Sequence, residues 1–120
     1  MESYPYPIQN YLYHWIVESR YPGYLYVSQD YHIIDAGGAL AHYKLHVYEK
    51  GQCIKEQVCF LHGLLPLDGE SVLIPLLQFD AAIFADLHLL PGELGDWVLL
   101  LDATEKAIQQ QRTQQLAYHL

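Results

Sequence analysis

The sequence predicts an α+β domain of five strands, a hairpin of two and an antiparallel meander of three, with short helices between the two groups, an amphipathic helix before them and another helix after them. Three observations carry that prediction. Two short runs rich in β-branched and aromatic residues, Tyr24-Leu25-Tyr26-Val27 and His32-Ile33-Ile34, are followed after a glycine-divided stretch by three apolar runs of strand length at 71–79, 82–90 and 97–101. Apolar residues recur at helical spacing near the front of the chain. From Thr104 to Leu120 there is neither Gly nor Pro.

Taken in order, the first unit is residues 1–22. After Pro5 and Pro7, the residues Ile8, Tyr11, Leu12, Trp15 and Ile16 stand at i, i+3, i+4, i+7 and i+8, which puts five large apolar groups on one stripe of a helix. Pro22 and Gly23 stop that helix. A stripe of this kind needs an apolar surface to meet, either its own domain or a second copy. The second unit, residues 23–104, opens with a hairpin through Gln29-Asp30-Tyr31, and Gly37-Gly38 is expected to break the sheet. From Ala39 to about Leu65 the spacing of Leu40, Tyr43, Val47, Ile54, Val58 and Leu61 is helical, divided by Gly51 and Gly63 into short pieces. The three later runs, joined by Asp80-Ala81 and by the turn-rich residues 91–96, read as an antiparallel meander. Residues 105–120 form the exit helix.

At 120 residues the chain fits one domain with one core. Apolar residues are 52% and charged residues 17%, which argues against disorder. The formal charge is −8, from 14 acidic against six basic residues. Such a surface repels phosphate backbones and anionic lipid, so nucleic acid is not expected as a partner. The apolar runs fall short of the ~20 residues that span a bilayer, and no basic-then-apolar leader opens the chain. With only two cysteines, a disulfide framework is not expected, and a reduced, cytoplasmic setting fits best.

Catalytic chemistry finds little support. Asp86 and His88 alternate in a strand and so share a face, but no Gly-x-Ser-x-Gly element accompanies them; they read as a surface pair. Gly37-Gly38 is followed by no Gly-Lys-Ser/Thr, which excludes a phosphate loop. Cys53 and Cys59 are six apart, too far for a Cys-x-x-Cys pair, and read as small buried hydrophobes. His42 and His46 stand four apart on an expected helix and could face one metal, or simply make ordinary hydrogen bonds. The chain is not expected to be an enzyme.

The segment Trp97-Val98-Leu99-Leu100-Leu101-Asp102-Ala103-Thr104-Glu105-Lys106 resembles the closing segment of PAS domains, in which a last apolar strand runs through an Asp-x-Thr-Glu turn into a signalling helix. The order of elements along nearly the whole chain is similar to that family, which implies one PAS-like five-stranded antiparallel sheet with short helices inserted between its second and third strands, although the Asn-centred pattern common after the second strand is absent. On the residues alone, Asp102 and Glu105 have capping-box spacing, or Thr104 caps the helix directly.

The resemblance implies a sensory or dimerisation domain that relays conformational change through Asp102, Thr104 and Glu105 to an effector domain, of the kind found ahead of nucleotide cyclases or histidine kinases. It also implies a homodimer through Ile8, Tyr11, Leu12, Trp15 and Ile16, and a small apolar ligand between the sheet and the inserted helices. Haem-binding members use a proximal histidine on an inserted helix, which makes His46 and His62 the ligand-binding candidates. The flavin-photoadduct motif is not matched at Cys53 or Cys59. Gln111 and Gln115 at near-heptad positions make the exit helix a weak coiled coil, which reads as the first part of a longer one. Two other readings stand beside this one: a ligand-free dimerisation scaffold with a filled core, and a free-standing profilin-like adaptor.

Overall fold

The computed structural model describes residues 4–45, 49–54, 61 and 63–119. Five strands, β1 (Gly23–Val27), β2 (Ile33–Gly38), β3 (Val72–Gln78), β4 (Phe84–Pro91) and β5 (Asp96–Asp102), form one antiparallel sheet in the order β2-β1-β5-β4-β3. The architecture is therefore α+β with an open five-stranded sheet. Between β2 and β3 the chain must pass from one edge of the sheet to the other, so the connecting residues cross a face.

That face is the core. Leu25, Val98 and Leu89 stand side by side across β1, β5 and β4, and Leu100, Leu87 and Ile74 form the next row. Leu40, Tyr43, Ile54, Leu61 and Leu65 of the crossing segment are buried in the same cluster. Each fully buried aliphatic side chain there contributes roughly 1.5–3 kcal/mol relative to exposure. The other face carries the alternate residues: Tyr26 and Trp97 stack with ring centroids 3.9 Å apart, and the Tyr26 hydroxyl accepts the Leu94 N–H at 2.8 Å.

Gly37 and Gly38 are the last two residues of β2: both still pair with β1, and the strand ends at Gly38 as the glycine pair led one to expect. A Cβ on Gly37 would stand 2.7 Å from the Tyr24 hydroxyl, and one on Gly38, where φ is +72°, would stand 2.3 Å from the Pro22 carbonyl. These glycines admit close neighbours at the point where the strand ends.

In the inserted stretch Leu40–Tyr43 is a single 3₁₀ turn and Leu61 is again 3₁₀, while Val47 and Val58 lie outside the described residues. Residues 49–54 run as a loop against the edge of β2, with Gly51 N–H donating to Ile33 O at 2.6 Å, Ile33 N–H to Gln52 O at 2.8 Å and Ile54 N–H to Tyr31 O at 2.8 Å. Gly51 and Gly63 both adopt positive φ, and the loop covers a strand edge that would otherwise be open to another chain. Cys53 lies exposed in this loop, against the expectation of burial, because its neighbour Ile54 takes the inward position. Cys59 lies outside the described residues.

Helices flank the sheet. The first, α1 (Tyr6–Leu12), continues as a π-helical turn, Tyr13–Val17, and a 3₁₀ turn, Glu18–Arg20, before Tyr21 reverses the chain at φ +49°. None of residues 6–20 is buried. The second, α2 (Thr104–His119), follows β5 after one residue. Ala103 and Ala107 are buried at its start, whereas residues 108–116 are exposed throughout. No described helix is long and apolar enough to cross a membrane.

Candidate functional site at the strand-to-helix junction

The end of β5 and the start of α2 are joined by a compact set of side-chain bonds centred on Asp102. Its Oδ1 accepts the Thr104 N–H at 2.9 Å, and its Oδ2 lies 3.2 Å from Thr104 Oγ1 and 2.6 Å from His42 Nε2. Thr104 Oγ1 accepts the Phe84 N–H of β4 at 3.1 Å. The hydroxyl has one proton, which serves the Asp102 carboxylate; the Phe84 carbonyl at 3.4 Å is the weaker contact. Asp102 thus satisfies the first N–H of α2, one of the donors a helix start leaves open, while the Ala103 carbonyl accepts the first intrahelical bond from Ala107 at 3.0 Å. The cap differs from both arrangements expected from the spacing. Thr104 turns its hydroxyl toward the sheet and the Asp102 carboxylate, and Glu105 lies exposed on the wall of a neighbouring cleft.

His42 comes from the 3₁₀ turn of the inserted segment. Its ring stacks on Tyr21 at 4.0 Å between centroids with planes 4° apart, and meets the Tyr43 ring edge-on at 4.9 Å. The stack holds the imidazole in the plane from which Nε2 reaches Asp102. Tyr43 is buried, and its hydroxyl donates its one proton to the Tyr21 carbonyl at 2.7 Å, with the Arg20 carbonyl the weaker contact at 3.1 Å. Burial, then the nearby Asp102 charge, push the Tyr43 hydroxyl pKa well up, so it remains a donor at physiological pH.

Arg20 closes the network from the other side. Its Nε donates to the Asp102 carbonyl at 3.0 Å and its Nη2 to Asp86 Oδ2 at 2.7 Å. Register opposes Asp102 to Ala85 and Asp86 to Leu101, so the two carboxylates point to opposite faces of the sheet. Asp86 also accepts the Leu76 N–H at 3.1 Å, at a bulge where Leu76 adopts φ +55°. Burial pushes the Asp86 carboxyl up, but the Arg20 guanidinium and the Leu76 N–H outweigh it and hold the group below the usual carboxylate range. The expected surface pairing of Asp86 with His88 is corrected: Asp86 is 8% exposed and its carboxylate partners are Arg20 and Leu76.

Of the residues singled out in the sequence, Asp102 and Thr104 meet directly and Glu105 stands beside them. Ile8, Tyr11, Trp15 and Ile16 are all exposed, at 47–62%, and Leu12 is half-buried, so the stripe covers no part of its own core. Trp15 and Ile16 form one wall of a cleft of about 520 Å³ whose other side includes Glu105, Lys106 and Gln109 of α2, with Arg20 and Asp86 between. A second cleft of about 470 Å³ is lined by Trp15 together with His14, Tyr21 and Ala39. His46 and His62 lie outside the described residues. Among those described, no group of three or more His, Cys, Asp or Glu could hold a metal ion.

Sequence reasoning missed Arg20, Tyr43 and the role of His42. Arg20 had a signal, being the only Lys or Arg in residues 1–43. A solitary cation at the end of a helical segment whose one carboxylate, Glu18, pairs with His14 finds its partners elsewhere in the chain. No family model, curated protein or solved structure significantly matches the chain.

Proposed function

We propose that the chain is a PAS-like regulatory domain of a multidomain signalling protein, which pairs as a homodimer and relays conformational change through Asp102, Thr104 and Glu105 into α2 and onward to an effector domain. It performs no chemistry of its own and works in the cytoplasm. The sheet order and the long insertion between β2 and β3 are compatible with that fold. The observation that carries the reading is the bond from His42, in the inserted segment, to the Asp102 carboxylate that caps α2. A ligand held between the sheet and the inserted segment would act on the turn that carries His42, and a small displacement there would alter the cap.

Exposure of residues 108–116 favours this reading over a profilin-like adaptor, in which the exit helix would fold back onto the sheet. A ligand-free scaffold is the second reading. It is favoured by the packing of Tyr43, Ile54, Leu61 and Leu65 against the inner face of the sheet, where a ligand would otherwise sit.

The relay is tested by amide hydrogen exchange in the full chain. His42→Ala is expected to speed exchange at residues 104–107 by about tenfold, a loss of about one charged hydrogen bond, while the core amides of Leu87 and Leu100 stay unchanged. Equal rates in the two proteins at residues 104–107 would remove His42 from the relay.

A further inference from the structure

The proposed relay takes its input from the inserted segment, yet the Asp102 carbonyl is held by Arg20, which comes from the N-terminal segment. We infer that Arg20 couples the N-terminal helical segment to the start of α2, so that the module also receives input from its N-terminal side. The inference rests on the relay reading and adds a second input to it.

The guanidinium is planar, and its donors keep a fixed relation to one another. One donates to the carbonyl of Asp102 and another to the carboxylate of Asp86. Asp86 is held in turn by the Leu76 N–H at the β3 bulge. It therefore acts as an anchor, and a rotation of Arg20 about that anchor must move or release the Asp102 carbonyl. The backbone at residues 20 and 21 is held by the Tyr43 hydroxyl, which fixes the pivot. Upstream of the pivot, no residue of the helical segment 6–20 is buried. That segment is consequently a lever with a fixed end and an exposed arm.

Ile16 stands four residues before Arg20, so the exposed apolar stripe and the guanidinium lie near one another along the helical segment. Trp15, Ile16, Arg20 and Asp102 share a single cleft with Lys106 of α2. Whatever covers the stripe, a second copy in the proposed reading, reaches Arg20 within about one turn. A plain surface ion pair would behave differently: it would add a little stability and transmit nothing.

Exchange at the amides of residues 104–107 separates these cases in the full chain. Trp15→Glu alters the arm without touching the Arg20 bonds. It is expected to change the rates at 104–107 by about fivefold, the lower end of ordinary site-to-site coupling. In an Arg20→Gln background the same substitution is expected to change them by less than about twofold. Arg20→Lys, which keeps the charge but not the fork of donors, is expected to give an intermediate response, and it replaces Arg20→Gln should that variant lose protection at Leu87 and Leu100. An equal response in all backgrounds, no response in the native one, or a change shared by Leu87 and Leu100 would each overturn the inference. If His42→Ala loosens residues 104–107 and Trp15→Glu does not, the relay stands and the N-terminal input falls; if neither does, both fall.

Discussion

A carboxylate on an 8%-exposed sheet position is unfavourable unless its charge is met, and at Asp86 it is met by Arg20 and the Leu76 N–H. The consequence for pH follows from the direction of the shift. The folded pKa lies below the unfolded value of about 3.9, so the stabilisation is fully present above that value and is lost as pH falls through the folded pKa. Urea denaturation of the native chain and of Asp86→Asn should therefore differ by about 1–2 kcal/mol near neutrality, with the difference shrinking toward zero as pH falls below about 4. A constant difference across that range would mean that shape, not charge, matters at this position. The alternation of Asp86 and His88 was legible in the sequence as a shared face. What it could not reveal is that a guanidinium 66 residues earlier arrives at that face, because side-chain pairing at long separation depends on the path of the chain and not on local period.

The helical elements show a similar division. The spacing of Ile8, Tyr11, Leu12, Trp15 and Ile16 marks an amphipathic segment, and the structure contains a helical segment there, changing from α to π to 3₁₀ over residues 6–20. The pattern does not say which surface the stripe meets, and the intramolecular sheet is not that surface. Exposed aromatic and aliphatic residues gathered on one segment are characteristic of contact sites. In a chain of net charge −8, copies repel one another broadly, and residues 4–17 carry no Lys, Arg, Asp or Glu. Sedimentation should accordingly give about twice the chain mass of 13.8 kDa for the native protein, and the single-chain mass for Trp15→Glu. A dimer that survives Trp15→Glu would take the N-terminal segment out of the interface. In the inserted stretch only residues 49–54 are seen to depart from the helical spacing: Ile54 reaches the core from a loop in which Gly51 adopts positive φ, and residues with helical spacing need not form a helix there.

Taken as a whole, the molecule is a sheet body with helices leaving it. The radius of gyration is 16.4 Å, against about 14 Å for a compact chain of this length, and the difference reflects the exposed terminal segments. Strand-length apolar runs made the sheet readable, and alternate burial is clearest in β5, where Asp96, Val98 and Leu100 are buried in turn. The junction was readable only in part. Asp102 and Thr104 were identifiable from their spacing, but His42 belongs to the cap solely because the crossing segment returns over the inner face to the end of β5. Whether His42 acts on α2 through the Asp102 carboxylate is tested by a double-mutant cycle of His42→Ala and Asp102→Ala, read as the opening free energy of the amides of residues 104–107. A coupling of about 1 kcal/mol between the two substitutions is expected; strictly additive effects would mean that His42 does not act through that carboxylate.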